Sequence, residues 1–258
     1  MNMAMAGDIE TPSGKDAAYE NFPVGSRLLP ARLRPHVAVF YGFARAIDDI
    51  ADAPGLTADD KLSRLDGFAD ALTGAHLGDP AFVKAHRMRD SLAETGVPAR
   101  HCLDLVRAFK QDAVKGRYAD WDDLLAYCML SAAPVGRFLL DLHGGSADGY
   151  GSSDALCNAL QVLNHLQDCK ADYLELDRVY LPQDWLAEEG TGVGALAHPV
   201  CSPALRKVID RCLAGVDALL AAAAPLPAGL ASLRLAMESA VILGIARRLS
   251  ARLAGRDP

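Results

Sequence analysis

The sequence has few aromatic residues and no excess of basic charge. Phe, Trp and Tyr make up 6% of the 258 residues, and 33 Asp and Glu outnumber 26 Lys and Arg, so the formal net charge is −7. Because nucleic-acid binding depends on concentrated basic surface, this composition argues against a nucleic-acid partner. A hydrophobic fraction of 51% indicates instead a globular protein with a sizeable core.

Cysteine pairs, zinc-ligand spacings and long apolar runs are also missing. The six cysteines form no Cys-x-x-Cys pair, so we interpret them as reduced core residues of a cytoplasmic protein. The most apolar stretch, residues 218–231, is interrupted by Pro225 and Pro227 and is shorter than the roughly 20 residues of a membrane span. No secretory signal is visible at the N-terminus, and we expect residues 1–18 to be a mobile segment.

Apolar residues recur at three- and four-residue intervals along nearly the whole chain, whereas strand-like alternation is rare. This pattern predicts an all-α fold with one domain over residues 19–258. Pro35 marks the first turn of a helix that ends near Ala53, and Thr57 is the expected N-cap of the next helix. Further helices are predicted over 80–94, 98–114, 120–142, 153–177, 203–222 and 229–253, with loops over 144–153 and 182–202.

The first acidic cluster lies at the end of the predicted helix 35–53. Asp48 and Asp52 are four residues apart, and Arg45 and Tyr41 precede them at helical spacing, so all four share one side of the helix. Carboxylates at a helix C-terminus meet the negative end of the helix dipole and repel each other, at roughly 0.3–1 kcal/mol each. A cation would remove both penalties, although a solvated acidic helix end is the alternative interpretation.

The second cluster is a polar stripe on the predicted helix 153–177. Its members, three or four residues apart, are Gln161, Asn164, Asp168, Asp172 and Glu175. Surface helices usually mix Lys and Arg into such a face, whereas this stripe has only carboxylates and amides. Two such helices facing each other across a cleft would suit Mg²⁺, or Mn²⁺ in its place, with substrate phosphate completing the shell. The spacing therefore predicts a helical Mg²⁺–diphosphate site, with Arg45 as a phosphate donor.

From Glu20 to about Leu253 the sequence resembles the squalene/phytoene synthase family. The segments 41–52 (YGFARAIDDIAD) and 161–172 (QVLNHLQDCKAD) resemble the two aspartate-rich motifs of that family. Tyr127-Cys128 with residues 134–136 (PVG) resembles the intervening motif, and residues 178–182 (RVYLP) the segment after the second. Within the family, residues 20–43 and 181–185 (LPQDW) are most similar to bacterial hydroxysqualene synthases of hopanoid biosynthesis.

The resemblance implies an all-α isoprenoid synthase fold with a central cavity. It also implies a carbon–oxygen lyase that converts presqualene diphosphate and water into hydroxysqualene and diphosphate. The metal ligands it implies are Asp48, Asp52, Asn164, Asp168 and Asp172, and with Arg45 and Tyr127 these form the expected catalytic set. The expected substrate contacts are Tyr41, Arg45, Gln161, Asn164, Phe40, Phe43 and Asn21.

Several interpretations stay open on the sequence. Phe40, Phe43 and Tyr127 are candidates for stabilising a cation, with plain core packing as the alternative. His165 lies off the face of the polar stripe, which favours packing or solvation over metal ligation. Ala133 stands where the resemblance leads us to expect Asn, which bears on how water is placed. The glycines of residues 190–194 follow no strand and lack the G-x-G-x-x-G spacing, so no NADPH is expected.

Three alternatives concern function and partners. One is another head-to-head prenyltransferase, either presqualene diphosphate synthase or phytoene synthase. Another is a non-catalytic helical protein that binds prenyl lipids, which the two Asp pairs argue against. The amphipathic stretch 204–222 is a candidate for transient contact with a membrane or a pathway enzyme, with a core-facing helix as the favoured alternative.

Overall fold

The computed structural model describes residues 9–10 and 28–256. Over these residues the secondary structure is helical, and the only strand-like feature is an isolated bridge between Arg117 and Val179. The all-α prediction is therefore confirmed. The α-helices are α1 (Arg34–Asp52), α2 (Ala58–Thr73), α3 (Val83–Thr95), α4 (Arg100–Asp112), α5 (Trp121–Ser131), α6 (Ala133–Leu142), α7 (Tyr150–Leu176), α8 (Gln183–Glu188), α9 (Pro203–Ala223), α10 (Leu226–Gly229) and α11 (Leu233–Gly255).

The helix ends follow the local chemistry that the sequence indicates. α1 has a proline in its first turn, where the missing N–H costs nothing. Thr57 caps α2, because its side chain accepts from the N–H of Asp60 while the Asp60 carboxylate accepts from the Thr57 N–H. Ser202 and Ser232 cap α9 and α11 in the same way, by accepting from the backbone three residues on.

Two of the predicted loops contain helix. Residues 182–202 include α8 and a 3-10 helix at Val193–Ala197, and α7 begins at Tyr150, within the predicted loop 144–153. α8 has six residues, too few to be stable alone. The Trp185 ring stacks on Trp121 of α5 at 5.5 Å, and the Arg211 guanidinium of α9 lies 4.3 Å from the centre of the Trp185 ring. These tertiary contacts stabilise a helix that local periodicity does not reveal.

The chain divides into two compact units, residues 1–114 with 137–145 and residues 115–136 with 146–258. In the first unit, α1 packs against α3 and α4, and α2 packs against the same two helices. Phe43, Ile47, Leu65 and Phe68 form the fully buried centre of this unit. Among the residues predicted to be mobile, Ile9 and Glu10 are described, and they accept hydrogen bonds from Arg64 and Lys84. The prediction of one domain over 19–258 stays a prediction.

In the second unit, α7 packs along α9 and also contacts α5 and α11. Leu163 and Val208 are fully buried between these helices. Gly136, at the start of α6, comes so close to α7 that a Cβ there would lie 2.3 Å from the Ser153 Oγ and 2.7 Å from the Cys157 Sγ. The approach of the two segments therefore requires a residue without a side chain.

Two helical stretches, Trp121–Leu142 and Pro203–Gly229, are long and apolar enough to cross a membrane by length and composition alone. The expectation that no segment of the chain spans a membrane stays a prediction. About half of the first stretch (56%) and a third of the second (33%) are buried inside the protein. Core helices of soluble proteins pass the same criterion, so the two stretches are weak evidence for a membrane span.

Candidate active site

The first acidic cluster, Asp48, Asp49 and Asp52, lies on the last turns of α1. The guanidinium of Arg45 lies 3.0 Å from the carboxylate of Asp48 and 2.7 Å from that of Asp49. Burial favours a lower pKa for Arg45, but the charges of Asp48 and Asp49 outweigh it and raise the pKa above its usual value. Arg45 is therefore a permanent cation whose orientation is fixed by two neighbouring carboxylates.

Asp48 is in an unfavourable electrostatic position. Its pKa is raised from 3.8 to about 8, first by burial and then by the negative charge of Asp52, with Arg45 acting in the opposite direction. The carboxylate of Asp112, from the end of α4, adds to the repulsion. Two elements of the same unit thus concentrate negative charge around one carboxyl group.

Asp49 and Asp112 were not among the predicted site residues. Asp49 is next to Asp48 in sequence but turns away from the Asp48–Asp52 side, and it is buried with Arg45 as its partner. Asp112 is buried at the end of a helix whose sequence shows no acidic pattern. The position of Asp49 next to Asp48 in the DDIAD segment could have indicated that it belongs to the cluster. Only the tertiary structure shows that Asp112 lies close to it.

The second cluster follows one side of α7, as the spacing predicts, and its exposure changes along the helix. Asp168 is exposed, whereas Gln161, Asn164 and Asp172 are half-buried. The Gln161 Nε2 lies 3.2 Å from the Nε2 of His165, which orients the amide within the helix face. Asp168 is therefore the most accessible of these four side chains, with half-buried members of the stripe on both sides of it.

Tyr127 belongs to an aromatic cluster that we define as Tyr118, Tyr127, His165 and Tyr180. The ring of Tyr127 lies 5.3 Å from Tyr118, 5.5 Å from Tyr180 and 6.0 Å from His165, and His165 stacks on Tyr180 at 3.5 Å. Burial, together with the charge of Arg178, lowers the pKa of His165 to about 3. His165 is therefore a neutral packed ring at physiological pH. Tyr118 and Tyr180 were not predicted, because the four rings are spread over 63 positions of the sequence and no local pattern connects them.

The remaining predicted contacts have different surroundings. Phe40 is buried and stacks on Phe138 at a centroid distance of 4.0 Å. Phe43 has no exposed surface and packs against Phe68 in the core of the first unit, so substrate contact would require its neighbours to move. Tyr41 is half-buried on α1 near Arg45. Asn21 lies outside the described residues, and Ala133 is fully buried at the start of α6.

The donor atoms of both clusters suit Mg²⁺. Among the described residues, no three His, Cys, Asp or Glu side chains already form a metal site. Mg²⁺ needs only one or two protein carboxylates, because water and substrate phosphate complete its shell. Asp48 and Asp52 offer two oxygen donors whose mutual repulsion a divalent cation would offset, and Asn164, Asp168 and Asp172 offer a second oxygen-only set. On this basis the residues present fit the ion.

Comparison with known proteins gives a consistent result over nearly the whole chain. The sequence model of the squalene/phytoene synthase family matches residues 16–258. The hydroxysqualene synthase of Rhodopseudomonas palustris is 45% identical over 249 residues, which are 96% of this chain and 84% of that protein. The one of Sinorhizobium fredii is 41% identical over 93% of this chain and 81% of that protein. Relatives called phytoene synthase match at about 30% identity.

Solved structures with the same fold include squalene synthase HpnC from Alicyclobacillus acidocaldarius. It superposes with a TM-score of 0.80 at 31% identity, over 91% of this chain and 89% of that one. The predicted fold class, a helical isoprenoid synthase fold, is thereby confirmed.

Proposed function

Because the chain belongs to the squalene/phytoene synthase family, we propose that it is a hydroxysqualene synthase, which converts presqualene diphosphate and water into hydroxysqualene and diphosphate. The observation that carries this proposal is the 45% identity, over 96% of the chain, with the hydroxysqualene synthase of R. palustris. The oxygen-donor faces of α1 and α7 also support it, because such faces suit Mg²⁺. A departing diphosphate needs concentrated positive charge, and Mg²⁺ supplies that charge.

The residues that would hold Mg²⁺ are Asp48 and Asp52 on α1, and Asn164, Asp168 and Asp172 on α7. When bound, the ion supplies Lewis-acid stabilisation of the departing diphosphate. Arg45 adds hydrogen bonds to the diphosphate oxygens, and its ion pairs with Asp48 and Asp49 fix its orientation beforehand. The proposal also assigns Tyr41 and Gln161 to contacts with the diphosphate head group.

The reaction proceeds by heterolysis of the carbon–oxygen bond, whose electron pair leaves with the diphosphate. The cyclopropylcarbinyl cation rearranges, water adds to carbon, and the proton passes to solvent or to the released diphosphate. Apolar surroundings delay the water until rearrangement is complete. In this proposal the rings of Tyr118, Tyr127 and Tyr180, which pack together, lie against the cation and stabilise it by roughly 0.5–2 kcal/mol per ring.

Variants of the two clusters test the proposal directly. Purified protein with Mg²⁺ and presqualene diphosphate is expected to release diphosphate and hydroxysqualene, measured by a diphosphate assay and mass spectrometry. Asp48→Asn and Asp168→Asn should each reduce kcat at least about 100-fold, because each removes a charged donor from the leaving-group site. Asp70→Asn, an exposed change on α2, is the matched control and should retain the wild-type rate.

The rival functions give different results in the same assay. A presqualene diphosphate or phytoene synthase would consume farnesyl or geranylgeranyl diphosphate alone and form a C30 or C40 condensation product. A non-catalytic lipid-binding protein would bind presqualene diphosphate without releasing diphosphate. If the two Asp variants keep the wild-type rate, the assigned catalytic residues are wrong.

A further inference from the structure

Large apolar side chains form an exposed row along α11. Leu233, Met237, Val241 and Ile245 expose 73%, 47%, 48% and 39% of their surface. They are four residues apart, so each lies one turn after the last, over roughly 18 Å of helix. A different side of α11 faces the core. Leu235, Leu243 and Leu253 are buried on that side, and the helix packs on α7, α9 and α10.

Arginines continue the row toward the C-terminal end of the helix. Arg248 follows Ile245 by three residues, Arg252 follows Arg248 by four, and both are exposed. The acidic residue of this helix, Glu238, is buried on the inward side. One face of α11 is therefore apolar over its first turns and cationic over its last ones, in a chain whose net charge is −7.

We propose that this face of α11 docks on the surface of an anionic phospholipid bilayer. An exposed apolar row bordered by cations is the pattern of helices that lie in a membrane interface, with apolar side chains among the acyl chains and arginines at the phosphates. A second copy of the chain fits less well. Parallel pairing of two such faces would bring arginines together, and antiparallel pairing would bury arginines against apolar side chains.

The proposed docking also rests in part on the proposed function, because a C30 hydrocarbon chain partitions into lipid. The stretch 204–222, named from the sequence as a possible contact, is a different surface. The large apolar residues of this stretch are buried in the protein: Leu205, Val208, Ile209, Leu213 and Leu220. The favoured interpretation from the sequence, a core-facing helix, therefore describes α9. The α11 row was not predicted, because only the packing of α11 shows which of its apolar residues are left outside.

Vesicle co-sedimentation with two classes of variant tests the proposal. The wild-type protein should bind phosphatidylcholine vesicles containing phosphatidylglycerol at least about tenfold more tightly than pure phosphatidylcholine vesicles, and less tightly as salt is added. Met237→Ser with Val241→Ser, and separately Arg248→Glu with Arg252→Glu, should each weaken binding at least about tenfold. Leu77→Ser with Val114→Ser, and Arg87→Glu, are exposed changes elsewhere that should leave binding within about twofold.

Three results would overturn the proposal: no binding of wild-type protein to anionic vesicles, equal binding by wild type and the α11 variants, or a dimer in light scattering that the α11 variants dissociate. The last result would assign the row to a second copy. Turnover of detergent-dispersed presqualene diphosphate separates this proposal from the proposed function. The α11 variants should retain turnover, and a wild type that binds vesicles without turnover would contradict the function alone.

Discussion

The carboxyl group of Asp48 lies where its negative charge is unfavourable. Burial and the charge of Asp52 oppose its ionisation, and Arg45 offsets only part of that cost. The spacing of Tyr41, Arg45, Asp48 and Asp52 is visible in the sequence because residues four apart share a helix side. The contribution of Asp112 is not visible, since it depends on how α4 packs against α1.

We therefore predict that Asp48→Asn makes the metal-free protein more stable while reducing its activity. The amide keeps the shape of the carboxyl group and cannot ionise, so it avoids the free-energy cost that the raised pKa of Asp48 represents, and the free energy of unfolding should rise by about 1–3 kcal/mol. Urea denaturation of both proteins in EDTA measures this change. An equal or lower stability of the variant would show that the Arg45 ion pair outweighs the repulsion.

His101 gives a pH-dependent prediction that is independent of the active site. Its ring is buried and lies 2.8 Å from the Asp141 carboxylate, and burial lowers its pKa despite that partner. Because the unfolded state takes up this proton below about pH 6.5 before the folded state does, stability falls as the pH drops through that value. Nothing in the sequence indicates that Asp141 is the partner of His101, because the two residues are 40 positions apart.

We expect His101→Gln to reduce the dependence of stability on acid pH. From pH 6.5 downward, the unfolding free energy of the wild type should fall more steeply than that of the variant, by up to about 1.4 kcal/mol per pH unit. Urea melts at pH 7.5, 6.0 and 5.0 measure the two slopes. Parallel slopes would mean that folding does not lower the pKa of His101.

At the scale of elements, both ends of α1 and the start of α2 were predictable, whereas the short helices and the division of the predicted helix 120–142 into α5 and α6 were not. Pro35 and Pro54-Gly55 mark the two ends of α1, and Thr57 marks the start of α2, each within a residue or two, because capping and breaking are local effects. α8 was not predicted, because its stability comes from the stacking of Trp185 on Trp121, a contact that the local sequence cannot show. The same limit applies to the aromatic cluster around Tyr127.

The contact between the start of α6 and α7 predicts a sharp effect of a small substitution. Gly136→Ala should destabilise the protein by about 1–3 kcal/mol, because the added Cβ would overlap the Ser153 Oγ and the Cys157 Sγ. Gly244→Ala on α11 is the control, since its Cβ would meet open space. That change should raise stability by up to about 1 kcal/mol through helix propensity. Thermal melts of the two variants measure whether each substitution lowers or raises the stability. Destabilisation by both substitutions would point to a general intolerance of glycine replacement.

At the scale of the whole molecule, the fold class follows from helical periodicity and the family from two motifs about 120 residues apart. The division into two units was not predicted. Its boundaries near residues 114, 136 and 145 carry no linker composition, and one of them falls inside α6. Which residues gather around a site is set by packing, which the spacing of charges along single helices cannot specify.

Mg²⁺ binding by the whole protein provides a further prediction. Because a ligand that binds only the folded state stabilises it, millimolar Mg²⁺ should raise the melting temperature of the wild type. The rise should be larger with inorganic diphosphate present and smaller for Asp48→Asn and Asp168→Asn. Differential scanning fluorimetry measures these shifts, with Asp70→Asn as the control that should behave as wild type. Equal shifts in all four proteins would place the bound ion elsewhere.

The most direct test of the central claim is the origin of the oxygen in the product. Purified protein, Mg²⁺ and presqualene diphosphate are incubated in ¹⁸O-labelled water, and the product is identified by mass spectrometry. If the carbon–oxygen bond breaks and water captures the cation, the product is hydroxysqualene carrying one ¹⁸O, and the released diphosphate carries none from the reaction. Unlabelled alcohol, a product without oxygen, or no consumption of presqualene diphosphate would contradict the account.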